Sequence, residues 1–142
     1  MLLIIYDVDV ILFFYSAKKD SNKWYNVLYN LNNAKNYIED GKLIVVEGFK
    51  SVWKLYEYGI LDVVATMGSG ITPGQENLLY KYAINTIIIF YDCDKAGISA
   101  TIKTYEYFKN KIEVIPIFIA EEGKDPADLD EQTVQNYLRG YF

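Results

Sequence analysis

The 142-residue sequence predicts an α/β protein whose centre is a mostly parallel four-stranded sheet flanked by helices. Two stretches carry that expectation. Leu43 to Val46 and Thr86 to Tyr91 are runs of apolar, mostly β-branched residues, and each stops at an acid with a glycine close behind. The first ends in Glu47-Gly48 and the second in Asp92-Cys93-Asp94-Lys95-Ala96-Gly97. Such runs read as parallel strands buried on both faces, and the carboxyl ends of those strands are where open α/β sheets carry their chemistry. From residue 43 onward, strand-like and helix-like stretches alternate, as crossover connections require. A composition of 51% hydrophobic, 16% aromatic and 23% charged residues suits a folded chain with one core.

Taken in order, Leu2 to Tyr6 and Val10 to Tyr15 read as two short strands with Asp7-Val8-Asp9 at the turn between them. That Asp-x-Asp is either a polar hairpin tip or a nucleophile motif, since an apolar strand ending this way resembles motif one of the haloacid dehalogenase family. Residues 1–32 form an irregular, hairpin-containing segment, and 33–142 the main domain. Asn32 or Asn33 can cap a short helix, Ala34 to Glu39, which Gly41 closes. The four strands are expected at Leu43 to Glu47, Val63 to Thr66, Thr86 to Asp92 and Glu113 to Ile119. Helices fall near Ser51 to Tyr58, Pro73 to Tyr82, Lys95 to Asn110 and Asp130 to Arg139. Thr72-Pro73 supplies a cap and a first-turn proline, while Ala96, Gly97 and Ala100 let the next helix approach the sheet closely.

This topology gathers Glu47, Asp92 and Asp94 at one edge of the sheet. Crowded carboxylates resist joint ionisation, so three together point to a divalent cation. The chain holds no His and one Cys, which rules out a zinc site of Cys and His ligands within these residues. Cys93 lacks a His to activate it and reads as a packing residue. With a net charge of -5, no general basic field is available to draw in nucleic acid, so phosphate contacts must be local or metal-mediated. Lys50, Lys54 and Lys103 read as solvated helix faces, and Gly68-Ser69-Gly70 as a tight turn or a phosphate cradle. Asp7 and Asp9 interrupt the apolar start, so the expectation is a soluble, cytoplasmic protein with no membrane partner.

Strand-Glu-Gly followed by strand-Asp-x-Asp and Ala-Gly resembles the Rossmann-like Toprim domain. The finer text narrows the likeness. Leu28-Tyr29-Asn30-Leu31, Val46-Glu47-Gly48-Phe49, Ala65-Thr66-Met67-Gly68-Ser69, Ile71-Thr72-Pro73-Gly74-Gln75, Tyr91 to Gly97 and Lys124-Asp125-Pro126-Ala127-Asp128 are similar, in the same order, to the DnaG-type primases. That resemblance implies synthesis of short RNA primers on a single-stranded DNA template from nucleoside triphosphates. It further implies Mg2+ or Mn2+, and a replicative helicase or other replisome protein as partner.

On the same footing, Asp92 and Asp94 are expected as direct metal ligands. Glu47 is expected as a third ligand, as the holder of a metal-bound water, or as a general acid-base. Asp125 and Asp128 are expected either to hold a further ion or to form a solvated turn and helix cap around Pro126. Lys95 and Lys124, with Gly68 and Ser69, are the candidate phosphate contacts. The sequence departs from the family where an Asp is usual two positions past Phe49, since Lys50-Ser51 follow instead. Its basic N-terminal surface is reduced to Lys18, Lys19 and Lys23, so the activity is expected within a longer protein or a complex. A small Toprim nuclease and a non-catalytic replisome-binding module are the alternative functions.

Overall fold

The computed structural model describes residues 24–142. The Leu2 to Tyr15 hairpin, Asp7-Val8-Asp9 and Lys18, Lys19 and Lys23 lie outside the described residues. Four strands, β1 (Lys42–Val46), β2 (Val63–Ala65), β3 (Thr86–Ile89) and β4 (Glu113–Pro116), form one sheet in the order β2-β1-β3-β4. All three pairings are parallel, with Ile44 opposite Val63 and Ile88, and Ile88 opposite Ile115. The β-branched runs fill both faces, since successive side chains in a strand point opposite ways.

On one face Ile44, Val46, Val63, Ala65, Ile88 and Phe90 pack with Val52 and Leu55 of α2 (Phe49–Glu57) and Val134 and Leu138 of α5 (Glu131–Leu138). On the other, Leu43, Val45, Val64, Ile87 and Ile89 meet Leu79 of α3 (Pro73–Lys81) and Ala100 and Phe108 of α4 (Lys95–Phe108). The molecule is therefore three layers, helix on sheet on helix. Between α3 and the end of α4, Glu76 accepts hydrogen bonds from the hydroxyls of Tyr80 and Tyr107 and from Lys111 Nζ, at 2.7, 2.7 and 3.1 Å.

The helix starts follow their caps. Thr72 Oγ1 accepts the Gln75 N–H while Gln75 Oε1 accepts the Thr72 N–H, a reciprocal capping box with Pro73 in the first turn. Asp94 caps α4, and Asp130 caps α5 by accepting the Thr133 N–H. Three expected strands run shorter, β2 by its last residue and β3 and β4 by three each. β4 ends at Pro116 and β3 at Ile89 beside it, although the Ile117 N–H still donates to Ile89 O at 2.8 Å. The helix expected at Ala34 to Glu39 is instead α1 (Leu31–Ala34), begun by Asn30 at φ 69°. Asn30 Nδ2 donates to Val63 O at 2.9 Å, and Leu31 and Ala34 are buried, so tertiary anchoring moves the helix upstream.

Residues before α1 belong to the same core. Tyr29 and Ala65 exchange both backbone hydrogen bonds in an antiparallel bridge that covers the outer edge of β2. Leu28 is buried beside Leu31, and the Tyr29 hydroxyl accepts the Trp53 indole N–H at 2.8 Å. Among the described residues, no helix is long and apolar enough to cross a membrane.

Candidate active site

Parallel strands β1 and β3 are neighbours, so the residues just past their carboxyl ends meet at one edge. Glu47 follows β1, and its Oε1 accepts the backbone N–H of Asp92 at 3.3 Å. Asp94 opens α4, and its Oδ1 accepts the Gly97 N–H at 2.7 Å. Gly97 lies against all three residues, through the carboxylates of Glu47 and Asp94 and the backbone carbonyl of Asp92. A Cβ there would lie 2.7 Å from Glu47 Oε1 and 2.1 Å from the Asp92 carbonyl oxygen. The absence of a side chain at this position is what lets α4 begin against both strand ends.

The chain returns to the same edge after β4. Cys93 accepts the Gly123 N–H and donates its own N–H to the Lys124 carbonyl, at 2.6 and 2.7 Å. Its thiol donates to Ile119 O at 3.0 Å, in keeping with a packing role. This pairing brings Asp125 and Asp128 into electrostatic range of Asp92. Their carboxylates serve the local turn: Asp125 Oδ1 accepts the N–H groups of Ala127 and Asp128, and Asp128 Oδ2 accepts the Asp125 N–H at 2.9 Å. The cap around Pro126 is the arrangement present.

The electrostatics follow from this crowding. Burial, followed by the charge of Asp92, pushes the half-buried Glu47 carboxyl up to about 7. Asp92 rises to about 6, again mainly by burial and then by the charges of Asp125, Asp94 and Asp128. Among the described residues, no lysine or arginine forms an ion pair with any of the five acids, the ion pairs present being on Glu57, Glu76 and Glu106. Nor are any three Asp, Glu or Cys side chains there drawn together in a ligating group. The expected metal set is thus brought to one edge without being closed around a point.

Lys95 is exposed in the first turn of α4, and Lys124 is partly buried with its carbonyl engaged by Cys93. Gly68 and Ser69 lie in the turn after β2, where the Thr66 hydroxyl donates to Gly68 O at 2.8 Å and Met67 takes φ 60°. Ser69 lines a groove of about 240 Å³ with Ala100, Lys103 and Thr104 of α4. Lys103, read from sequence as a solvated face, is in that wall. At the departure from the usual acid, Ser51 is buried in the start of α2 and Lys50 faces solvent.

Residues 41–118, more than half of the chain, match the model of the Toprim domain. The chain belongs to the Toprim family. Its relatives within that family are DNA primases. It is 41% identical over 102 residues to the DNA primase of Clostridium acetobutylicum, an overlap of 71% of this chain and 17% of that protein. With the DNA primase of Aquifex aeolicus the identity is 36% over 114 residues, 79% of this chain and 22% of the relative. The chain thus spans about a fifth of the length of these curated relatives.

Among solved structures, the zinc-binding and RNA polymerase domains of the Aquifex aeolicus primase superpose with a TM-score of 0.70 at 33% identity, covering 82% of this chain and 30% of that one. A DnaG primase catalytic domain bound to single-stranded DNA gives a TM-score of 0.67 at 30% identity, over 81% of this chain and 38% of the other. The all-parallel Toprim sheet is the one found in DnaG primase cores. Toprim domains of primases generally bind divalent metal ions.

Proposed function

We propose that this Toprim chain is the catalytic core of a DNA primase that makes short RNA primers on single-stranded DNA by metal-dependent nucleotidyl transfer. It would work within a longer protein or a complex that includes a replicative helicase or another replisome protein. The observation that carries this reading is the carboxyl edge itself: Glu47, Asp92, Asp94, Asp125 and Asp128 gather there without a basic partner among the described residues. The likeness to bacterial DNA primases supports the same reaction, and the relative bound to single-stranded DNA supports that template.

The donor chemistry fits Mg2+ or Mn2+. Every donor is a hard carboxylate oxygen, and burial together with mutual repulsion holds Glu47 and Asp92 above the usual carboxylate range in the absence of a cation. Asp92 and Asp94 would hold the ion, with Glu47 as third ligand or through a bound water, and Asp125 with Asp128 at a further ion. When bound, such an ion supplies charge neutralisation for the triphosphate and lowers the barrier to in-line displacement.

The remaining work falls to the side chains. Lys95 and Lys124 contact phosphates as point charges, joined by Gly68 and Ser69. The primer's 3'-hydroxyl oxygen bonds to the α-phosphorus, the bond to pyrophosphate breaks, and the hydroxyl proton leaves. Glu47 is placed to take that proton at Oε2, the oxygen not bonded to Asp92.

The test is one gel with single-stranded DNA, labelled nucleoside triphosphates and Mn2+, comparing the chain with Asp94→Asn. Asn caps a helix as well as Asp, so this variant keeps the start of α4 and loses the charge. New short products that the variant fails to make support the reading. Products from both refute the metal-ligand assignment of Asp94, while a shortened template without primers identifies a nuclease.

A further inference from the structure

Two segments other than β1 and β3 cross the carboxyl edge, and one buried side chain joins them. They are the strap of residues 25–29, which pairs with Ala65, and the turn of residues 66–70 that follows β2. Gln75 lies between them with 0% exposure. Its Nε2 donates to Val27 O and to Thr66 O, each at 2.9 Å, while its Oε1 accepts the Thr72 N–H at 3.0 Å.

The residues beside it seat the same strap. Thr72 Oγ1 donates to Tyr25 O, and a Cβ on Gly74 would lie 2.1 Å from Asn26 Oδ1 and 2.9 Å from Tyr25 O. On the far side, Thr66 continues into the turn, its hydroxyl on Gly68 O and the Met67 N–H on Glu47 O at 2.8 Å. Cap formation alone does not need this arrangement, because Thr72 Oγ1 already accepts the Gln75 N–H. Filling the core does not need it either, since an apolar side chain of that volume avoids burying polar atoms. What an amide adds is two N–H donors in fixed geometry, which set two carbonyls from separate segments at one distance from each other.

On the primase reading above, we propose that Gln75 is a positioning residue. It holds the 25–29 strap and the Gly68-Ser69 turn in register at the edge where the acids stand, so that a nucleoside triphosphate meets a preformed phosphate-facing turn. The acids do not depend on it, since no hydrogen bond runs from Gln75 to Glu47, Asp92 or Asp94 among the described residues.

The test uses Gln75→Met, which keeps volume and removes both donors. Amide hydrogen exchange at Tyr29, Met67 and Gly70 is expected to quicken by roughly tenfold, the scale of one hydrogen bond. The KM for nucleoside triphosphate should rise by a similar factor with kcat held within about twofold, because what is lost is binding shared by ground and transition states. Mn2+ should still raise Tm as in the unsubstituted chain. Unchanged exchange at either segment, or a fall in kcat with KM unchanged, overturns the proposal.

Should Gln75→Met fail to fold, Gly74→Ala pushes on the strap with Gln75 in place. Exchange should then quicken at Tyr29 while Met67 and Gly70 stay protected, and loosening of both or of neither overturns the proposal. If the unsubstituted chain makes no primers by itself, as a core that works within a longer protein would, the exchange pattern alone decides the role of Gln75.

Discussion

Gly97→Ala tests how tightly the acidic edge is built. The added Cβ would lie 2.1 Å from the Asp92 carbonyl oxygen, 3.0 Å from its carbon and 2.7 Å from Glu47 Oε1. Ordinary contact needs about 3.2 Å or more, so the start of α4 or the end of β3 must retreat by about 1 Å. The nearest obstacle is backbone, tied through the Asp92 N–H to Glu47, and no rotamer change moves it. Overpacking of this kind costs about 1–3 kcal/mol, partly offset by the better helix propensity of Ala. For a domain of this size that lowers Tm by roughly 3–10 °C. The same retreat displaces Asp94 from the Gly97 N–H and separates the acids, and a misplacement of about 1 Å can reduce turnover about 100-fold. Gly48→Ala is the control, because Gly48 is extended at φ -117° with nothing within 4 Å of its Cβ position. Thermal denaturation of both variants with and without Mn2+ is the assay. A Gly97→Ala protein as stable as Gly48→Ala, and equally stabilised by Mn2+, would refute the packing argument.

Two further predictions follow from buried polar groups. Glu47 and Asp92 titrate in the fold near 7 and 6, above their ordinary 4.5 and 3.8. Their neutral forms therefore favour folding, a contribution complete below about pH 4 and lost as pH rises through 6 to 7. Metal-free Tm should fall across that window. Glu47→Gln, which keeps the acceptor for the Asp92 N–H, should remove the upper part of the fall. Its gain at pH 8 is about 1–2 kcal/mol, after discounting the full shift for solvent screening of a half-buried group. A flat Tm between pH 4 and 8 in the parent chain would contradict this. Among the described residues the buried Tyr91 hydroxyl has no partner at hydrogen-bond geometry. Tyr91→Phe should therefore stabilise by about 1 kcal/mol in urea denaturation, and a loss of that size would show that the hydroxyl has a partner.

The parallel direction of the sheet was readable because β-branched runs bounded by glycines leave few alternatives to buried parallel strands, whereas the order β2-β1-β3-β4 came only with the fold. Helix starts were readable where one residue carries the cap, as at Thr72 and Asp94. Strand ends were not, since they depend on pairing between distant segments: Ile89, where β3 ends, meets Pro116 of β4, 27 residues further on, only in the sheet. Gly97 was legible as a small residue for close packing, but not as the contact shared by Glu47, Asp94 and the Asp92 backbone. The same limit applies more strongly to Gln75, whose partners at Val27 and Thr66 lie 48 and 9 residues away. Local pattern explains its place in the capping box and gives no sign of the strap.

Asp125 and Asp128 show why acid spacing alone is a poor guide to ligation. Each carboxylate is engaged by backbone N–H groups of its own turn, which is sufficient reason for an Asp at both positions. Yet Cys93 binds this loop to the end of β3 through two backbone hydrogen bonds, and the capped acids still raise Asp92 by their charge. A structural cap and an electrostatic neighbour are therefore the same residues here. A cation entering beside Asp92 would feel the field of Asp125 and Asp128 whether or not they ligate it. Exchanging either for Asn, which keeps the cap acceptor and removes the charge, separates the two roles where exchange for Ala would confuse them.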